Sequence, residues 1–143
     1  MKLDNYKKAL KGQKRVFAEE SFHLGHTYHG LGNVYLRKKE HERALECYRK
    51  AIDVLVGFFP SDYAYFANIH TDMGIALREC EKYDEAIGNF EQALNILIQN
   101  YGIGHQNIVP LKKDLQLLYQ KQGKFEQLRK LEKLNGFLKN PKN

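Results

Sequence analysis

The segment GHTYHGLGNVYLRKKEHERALECYRKAIDVL (residues 25–55) returns 42 residues later as ANIHTDMGIALRECEKYDEAIGNFEQALNIL (residues 67–97). Gly32 is matched by Gly74, Ala44 by Ala86, Ala51 by Ala93 and Leu55 by Leu97. Between these fixed points the exchanges keep their character: Leu31 for Met73, Tyr35 for Leu77, His41 for Tyr83, Tyr48 for Phe90, Ile52 for Leu94. A chain that repeats at this kind of period builds a row of similar supersecondary units, each burying its apolar side against a neighbour. Few other features limit the fold so tightly.

The same offset reaches both ends. LDNYKKAL (3–10) lies on LECYRKAI (45–52), and LQLLYQKQGKFEQL (115–128) lies on the segment that starts at Met73. Apolar residues recur with the helical period along almost the whole chain, and no strand-like alternation lasts more than a few residues. The expectation is all-α, an α-α superhelix (solenoid) of antiparallel helix pairs with about seven helices, near 4–17, 21–38, 41–57, 62–80, 83–100, 106–121 and 124–138. Ser21 and Asp62 are expected N-caps, because their side-chain oxygens can accept the free N–H groups of a first turn. Pro110 falls where a first turn tolerates a missing N–H, and Gly123 suits a left-handed C-terminal cap. One domain, 1–143, divides into a lone helix of a preceding repeat or cap (1–18), repeat 1 (19–60), repeat 2 (61–102) and a degenerate repeat 3 with a C-terminal capping helix (103–143). A start in mid-repeat suggests a piece of a longer protein.

The pattern L-G-x-x-Y, a short bend, then A-x-x-x-Y/F-x-x-A resembles the tetratricopeptide repeat. It is written by Leu31, Gly32, Tyr35, Ala44, Tyr48 and Ala51, and again by Met73, Gly74, Leu77, Ala86, Phe90 and Ala93. These are the expected repeat-packing residues. The third copy keeps Leu115, Tyr119, Gly123 and Phe125, but Gln116, Leu128 and Asn135 stand at its small positions. A period of 42 is longer than the usual 34 and is similar to the kinesin-light-chain type. Lys39 and Glu81 occupy bends where that family often has glycine. The missing small residues of copy three fit a terminal cap with an outer face of Lys124, Arg129, Lys130 and Lys133, and an inner line of Phe125, Leu128, Leu131 and Leu134.

Composition narrows the function classes. The chain is 43% hydrophobic, with a net charge of +6. The first fifteen residues carry six basic groups and one acid; residues 16–110 carry eight and thirteen; residues 111–143 carry nine and three. Basic ends around an acidic middle differ from the single contiguous basic face of most nucleic-acid binders. No window approaches a membrane span, and the charged N-terminus lacks the apolar core of a signal peptide. A cytoplasmic (intracellular, not secreted) chain without membrane insertion is expected, with Cys47 and Cys80 as reduced packing thiols.

No catalytic constellation appears, so no enzyme, cofactor or metal is expected. Glycines fall at helix packing points and bends rather than after a strand, which rules against a phosphate-binding loop. His23, His26 and His29 share a helix face, but no local carboxylate or cysteine joins them, and solvated or groove-lining histidines are the plainer account. The aromatics of GFFPSDYAYF (57–66) either bury between repeats or form an exposed docking patch.

The resemblance implies a concave groove lined by the first helix of each pair. Its candidate residues are His29, Asn33, Leu36 and Arg37 in copy one, Thr71, Ile75, Arg78 and Glu79 in copy two, and Lys113, Leu117, Gln120 and Lys121 in copy three. Asparagine can bond an extended peptide backbone, and arginine or lysine can pair with carboxylates. The expected function is a non-enzymatic protein-interaction module, an adaptor or scaffold, for a peptide or helical segment that is acidic with bulky apolar anchors. Alternatives are self-association into a homo-oligomer through aromatic or repeat-end surfaces and, less favoured, nucleic-acid or acidic-surface binding by the basic ends.

Overall fold

The computed structural model describes the backbone of residues 2–139, and the side chains of that span except at positions 2, 3, 6, 10 and 135–139. Tyr6 and Asn135, both used to trace the repeat, lie outside the described side chains. Within the described residues there are six helices and no strand: α1 Lys2–Arg37, α2 His41–Val56, α3 Tyr65–Glu79, α4 Tyr83–Tyr101, α5 Ile108–Lys121 and α6 Phe125–Lys139. They form two compact units, 1–61 and 62–143.

Six helices stand where about seven were expected, because 4–17 and 21–38 are one helix of 36 residues. Nothing between Gly12 and Gly25 breaks it: the stretch holds no glycine or proline, Ala18-Glu19-Glu20 are good helix formers, and Arg15 bridges Glu19 one turn on at 3.7 Å. Ser21 is therefore interior to a helix and caps nothing. Asp62 is not an N-cap either. It lies in a turn before α3, and its backbone oxygen accepts from Asn100 Nδ2 at 2.6 Å, so α3 starts three residues later behind Ala64. Pro110 does sit in the first turn of α5.

In the first unit α1 packs on α2. Gly32 makes this possible: a Cβ there would lie 2.5 Å from Tyr48 Cε1 and 3.2 Å from the Ala44 oxygen. Tyr48, Ala44, Ala51, Leu45 and Leu55 are fully buried. About two turns up the interface Gly25 repeats the device against Leu55, with a Cβ-to-side-chain distance of 2.7 Å. The second unit uses the same design in α3 and α4, where a Cβ on Gly74 would meet Phe90 Cε1 at 2.6 Å. Ala86, Phe90 and Ala93 are fully buried, and Met73 and Leu77 nearly so. Further on, α4 packs on α5 and α5 on α6, burying Ile108, Leu111, Leu115, Leu118, Tyr119 and Leu131.

Two expected packing residues depart from that pattern. Leu31 is 42% exposed and Tyr35 only half-buried, unlike their counterparts Met73 and Leu77. The lone helix expected ahead of α1 would have covered that side, but its residues continue straight into α1 and cannot fold back. Phe125, expected on the inner line of the last helix, is also exposed, while Leu131 on the same line is buried.

Each bend closes in the same way. Lys39 and Glu81 have φ of 64° and 61°, and Gly123, at the same offset again, has 67°. At the first bend Glu40 N donates to Tyr35 O (2.9 Å) and Lys39 N to Leu36 O (3.0 Å); Lys82 to Leu77 with Glu81 to Arg78, and Lys124 to Tyr119 with Gly123 to Gln120, repeat this. These are Schellman caps, which need a left-handed residue. Copies one and two build them with side chains that resist that conformation.

Candidate functional site

Of the four candidates in the first unit, two are already engaged inside the helix pair. His29 is only 7% exposed and its ring stands edge-on to Tyr48 at 5.7 Å. Asn33 Oδ1 accepts from the Tyr48 hydroxyl at 2.6 Å. The expectation that Asn33 is spare for a ligand meets a physical reason against it: without this acceptor a hydroxyl among buried residues would lose its partner. The exchange is matched across copies, since Ile75 replaces Asn33 where Phe90 replaces Tyr48. Leu36 is half-buried, and Arg37 is exposed with Nε donating back to the Asn33 oxygen at 3.4 Å.

The second unit offers more surface. Arg78 on α3 pairs with Asp114 on α5 at 3.2 Å, both about one-third exposed, and so links the first helices of copies two and three. Thr71 is half-buried and its hydroxyl donates within the helix to Ala67 O at 2.7 Å. Ile75 is half-buried and Glu79 exposed. On α5, Lys113, Leu117, Gln120 and Lys121 all face solvent. Leu117 is 58% exposed, and one residue missed in sequence, Val109, is 63% exposed. Steps of four therefore give an outward line on α5 of Val109, Lys113, Leu117 and Lys121, apolar and cationic in turn. The signal for Val109 was its place one turn before Lys113, on the face that also carries Leu117 and Lys121.

Lys121, at the end of this line, and several buried or half-buried polar groups beside it are held by neighbouring helices. Lys121 Nζ donates to Tyr83 Oη at 2.8 Å and lies 4.4 Å from that ring centroid, and the hydrogen bond raises its pKa. Tyr119, on the buried face of α5, donates to Glu91 Oε1 on α4 at 2.6 Å, and burial with that carboxylate pushes the phenol well above its usual range. Lys112 is buried and burial lowers its pKa. His70 Nδ1 and Asn89 Oδ1, 3.0 Å apart, tie α3 to α4.

The remaining chemistry-bearing candidates do not assemble. His23 and His26 are exposed and lie against Phe22, whereas His29 turns into the helix pair. Among the described residues no group of three or more His, Cys, Asp or Glu is placed to hold a metal ion. Both cysteines are free, Cys47 buried with its thiol pKa raised by burial. In the aromatic segment, Phe66 is buried, Phe59 packs edge-on to Phe22 at 6.4 Å, and Phe58 is exposed. No helix among the described residues is long and apolar enough to cross a membrane.

Two sequence profiles of the tetratricopeptide repeat match this chain, over residues 3–55 and 67–107. The chain is a tetratricopeptide-repeat protein. The 42-residue spacing agrees with the second of these matches. Photosystem I assembly protein Ycf3 of Synechococcus sp. (strain CC9311) is 33% identical over 97 residues, 68% of this chain and 53% of that protein. The chain thus matches about half the length of that relative. Among solved structures, BtubC (BKLC) from P. vanneervenii superposes with a TM-score of 0.69 at 15% identity, covering 93% of this chain and 57% of that one. A TPR-like protein from Chlorobium tepidum TLS superposes with a TM-score of 0.63 at 14% identity, covering 86% and 83%. Identities this low establish the shared fold, the α-α solenoid of tetratricopeptide repeats. Within it, Gly32 with Tyr48 and Gly74 with Phe90 are the packing points of the two full repeats.

Proposed function

We propose that this repeat protein is a non-enzymatic adaptor that holds a short acidic segment of another protein against the outward face of α5 and the adjoining side of α3. The observation that carries this reading is the alternation of Val109, Lys113, Leu117 and Lys121 beside the Arg78–Asp114 pair. Exposed Leu117 supplies an anchor site for a bulky apolar side chain, and the two lysines one turn on either side supply charge for carboxylates. Thr71, Ile75, Glu79 and Gln120 border that surface, while His29 and Asn33 serve the packing of the first repeat. The likeness to a photosystem I assembly protein supports an adaptor that works in building a multiprotein complex.

The test is selection from a displayed peptide library. Enriched peptides should combine Asp or Glu with Leu, Phe, Tyr or Trp, and binding should weaken as salt rises. Leu117→Asp should abolish the enrichment, whereas Glu132→Gln on α6 should leave it intact. Enrichment of basic peptides, or binding unchanged by Leu117→Asp, would overturn the assignment.

A further inference from the structure

Among the described residues, five of the eleven large hydrophobic side chains left exposed belong to α1: Val16, Phe17, Leu24, Leu31 and Val34. Phe17, Leu24 and Leu31 are spaced by sevens, and in the sequence Leu3 and Leu10 extend the same spacing to the start of the helix. On an α-helix a strict seven-residue apolar repeat forms one slowly drifting line, the pattern by which long helices pair. At 1.5 Å per residue a helix of this length runs to about 54 Å, longer than the α2 it packs on by roughly 30 Å.

We propose that α1 is a self-association element, through which two copies of this chain pair antiparallel about a two-fold axis near Phe17. The occupant of the apolar line is the same line of a second copy. Centred there, the register sets position 24 opposite position 10 and position 31 opposite position 3, all four leucine in sequence. Charge selects the antiparallel direction. Residues 1–15 carry six basic groups and one acid, whereas 16–36 carry Glu19 and Glu20 and no lysine or arginine. Antiparallel pairing lays each basic segment along the other copy's acidic one, with Lys14 facing Glu20 and Arg15 facing Glu19. A parallel pair would stack the two basic segments on each other, which like-charge repulsion disfavours. The repeat pattern agrees. LDNYKKAL (3–10) is written like LECYRKAI (45–52), a second helix made to lie against a first, but a straight α1 denies it that place in its own chain. A second copy supplies it, and covers Leu31, whose counterpart Met73 is buried.

Sedimentation equilibrium of the full chain over a dilution series tests this. A reversible monomer–dimer equilibrium is expected. Leu24→Glu, at an exposed site that leaves helical content unchanged, should weaken it by at least about tenfold. Glu19→Lys/Glu20→Lys should weaken it as well, and mixing that variant with Lys14→Glu/Arg15→Glu should restore a heterodimer. Leu117→Asp should remain dimeric, which separates this association from peptide binding on α5. A chain that is monomeric at every concentration, a dimer unaffected by Leu24→Glu, or one unaffected by the glutamate reversals would each overturn the proposal.

Discussion

Gly30 and Gly32 sit two residues apart in α1, yet alanine at each should change stability in opposite directions. At Gly30 an added Cβ meets nothing within 4 Å, and the residue is exposed in mid-helix. Gly30→Ala then recovers only the helix-propensity difference, a gain of about 1 kcal/mol. At Gly32 the same methyl would lie 2.5 and 2.7 Å from two ring carbons of Tyr48. That ring cannot swing aside freely, because it is fully buried and its hydroxyl is bound to Asn33 at 2.6 Å. Forcing α1 and α2 apart costs about 1–3 kcal/mol as overpacking, and more where backbone resists, as the Ala44 oxygen does at 3.2 Å. After the propensity gain is subtracted, Gly32→Ala should destabilise by roughly 1–2 kcal/mol, so the two variants differ by about 2–3 kcal/mol. Urea unfolding followed by circular dichroism at 222 nm should show the midpoint rising for Gly30→Ala and falling for Gly32→Ala at similar slopes. Equal shifts of the same sign would refute the assignment of Gly32 as the close-approach point.

At the bends, Lys39→Gly and Glu81→Gly should each stabilise by about 1 kcal/mol by relieving a left-handed side chain, and Gly123→Ala should cost a similar amount, read as thermal midpoints. A double-mutant cycle of Tyr48→Phe with Asn33→Ala should give a coupling of about 1 kcal/mol, since either change alone strands the other's polar atom. Above neutral pH the tyrosines set the trend. Burial first, then nearby Asp72, lifts Tyr65 from 10.0 to about 12, and Tyr119 is lifted too. The unfolded chain therefore loses its phenolic protons first, so stability is intact below pH 10 and falls as pH rises towards 12. Tyr119→Phe should shrink that alkaline loss, with denaturant midpoints across the range as the measure.

Much of the fold was legible in the residues because repetition and period are local properties. The offset of 42 located both glycine packing points and their aromatic partners, and the positions of three bends. The left-handed conformation at Lys39 and Glu81 follows from the same offset once Gly123 is seen to be their counterpart, for a cap of fixed geometry must recur with the repeat. Less legible was the start of the chain. Ser21 looks like a cap and 3–10 looks like a second helix, but nothing around 18–20 interrupts hydrogen bonding, and local helix propensity prevailed over the repeat.

The candidate surface was harder to read, since a groove position and a packing position differ by one step around a helix. Asn33 and Leu117 occupy equivalent sites in copies one and three, and the sequence treats them alike. One is held by a tyrosine hydroxyl fifteen residues away, and the other stands open to solvent. Sequence by itself determined the helices from α2 onward, their pairing within each repeat and the family, because each rests on spacing along the chain. Tertiary structure alone decided which polar side chains remain for a partner and which apolar line of α1 is left uncovered. Both depend on what a neighbouring helix places within hydrogen-bond or van der Waals reach.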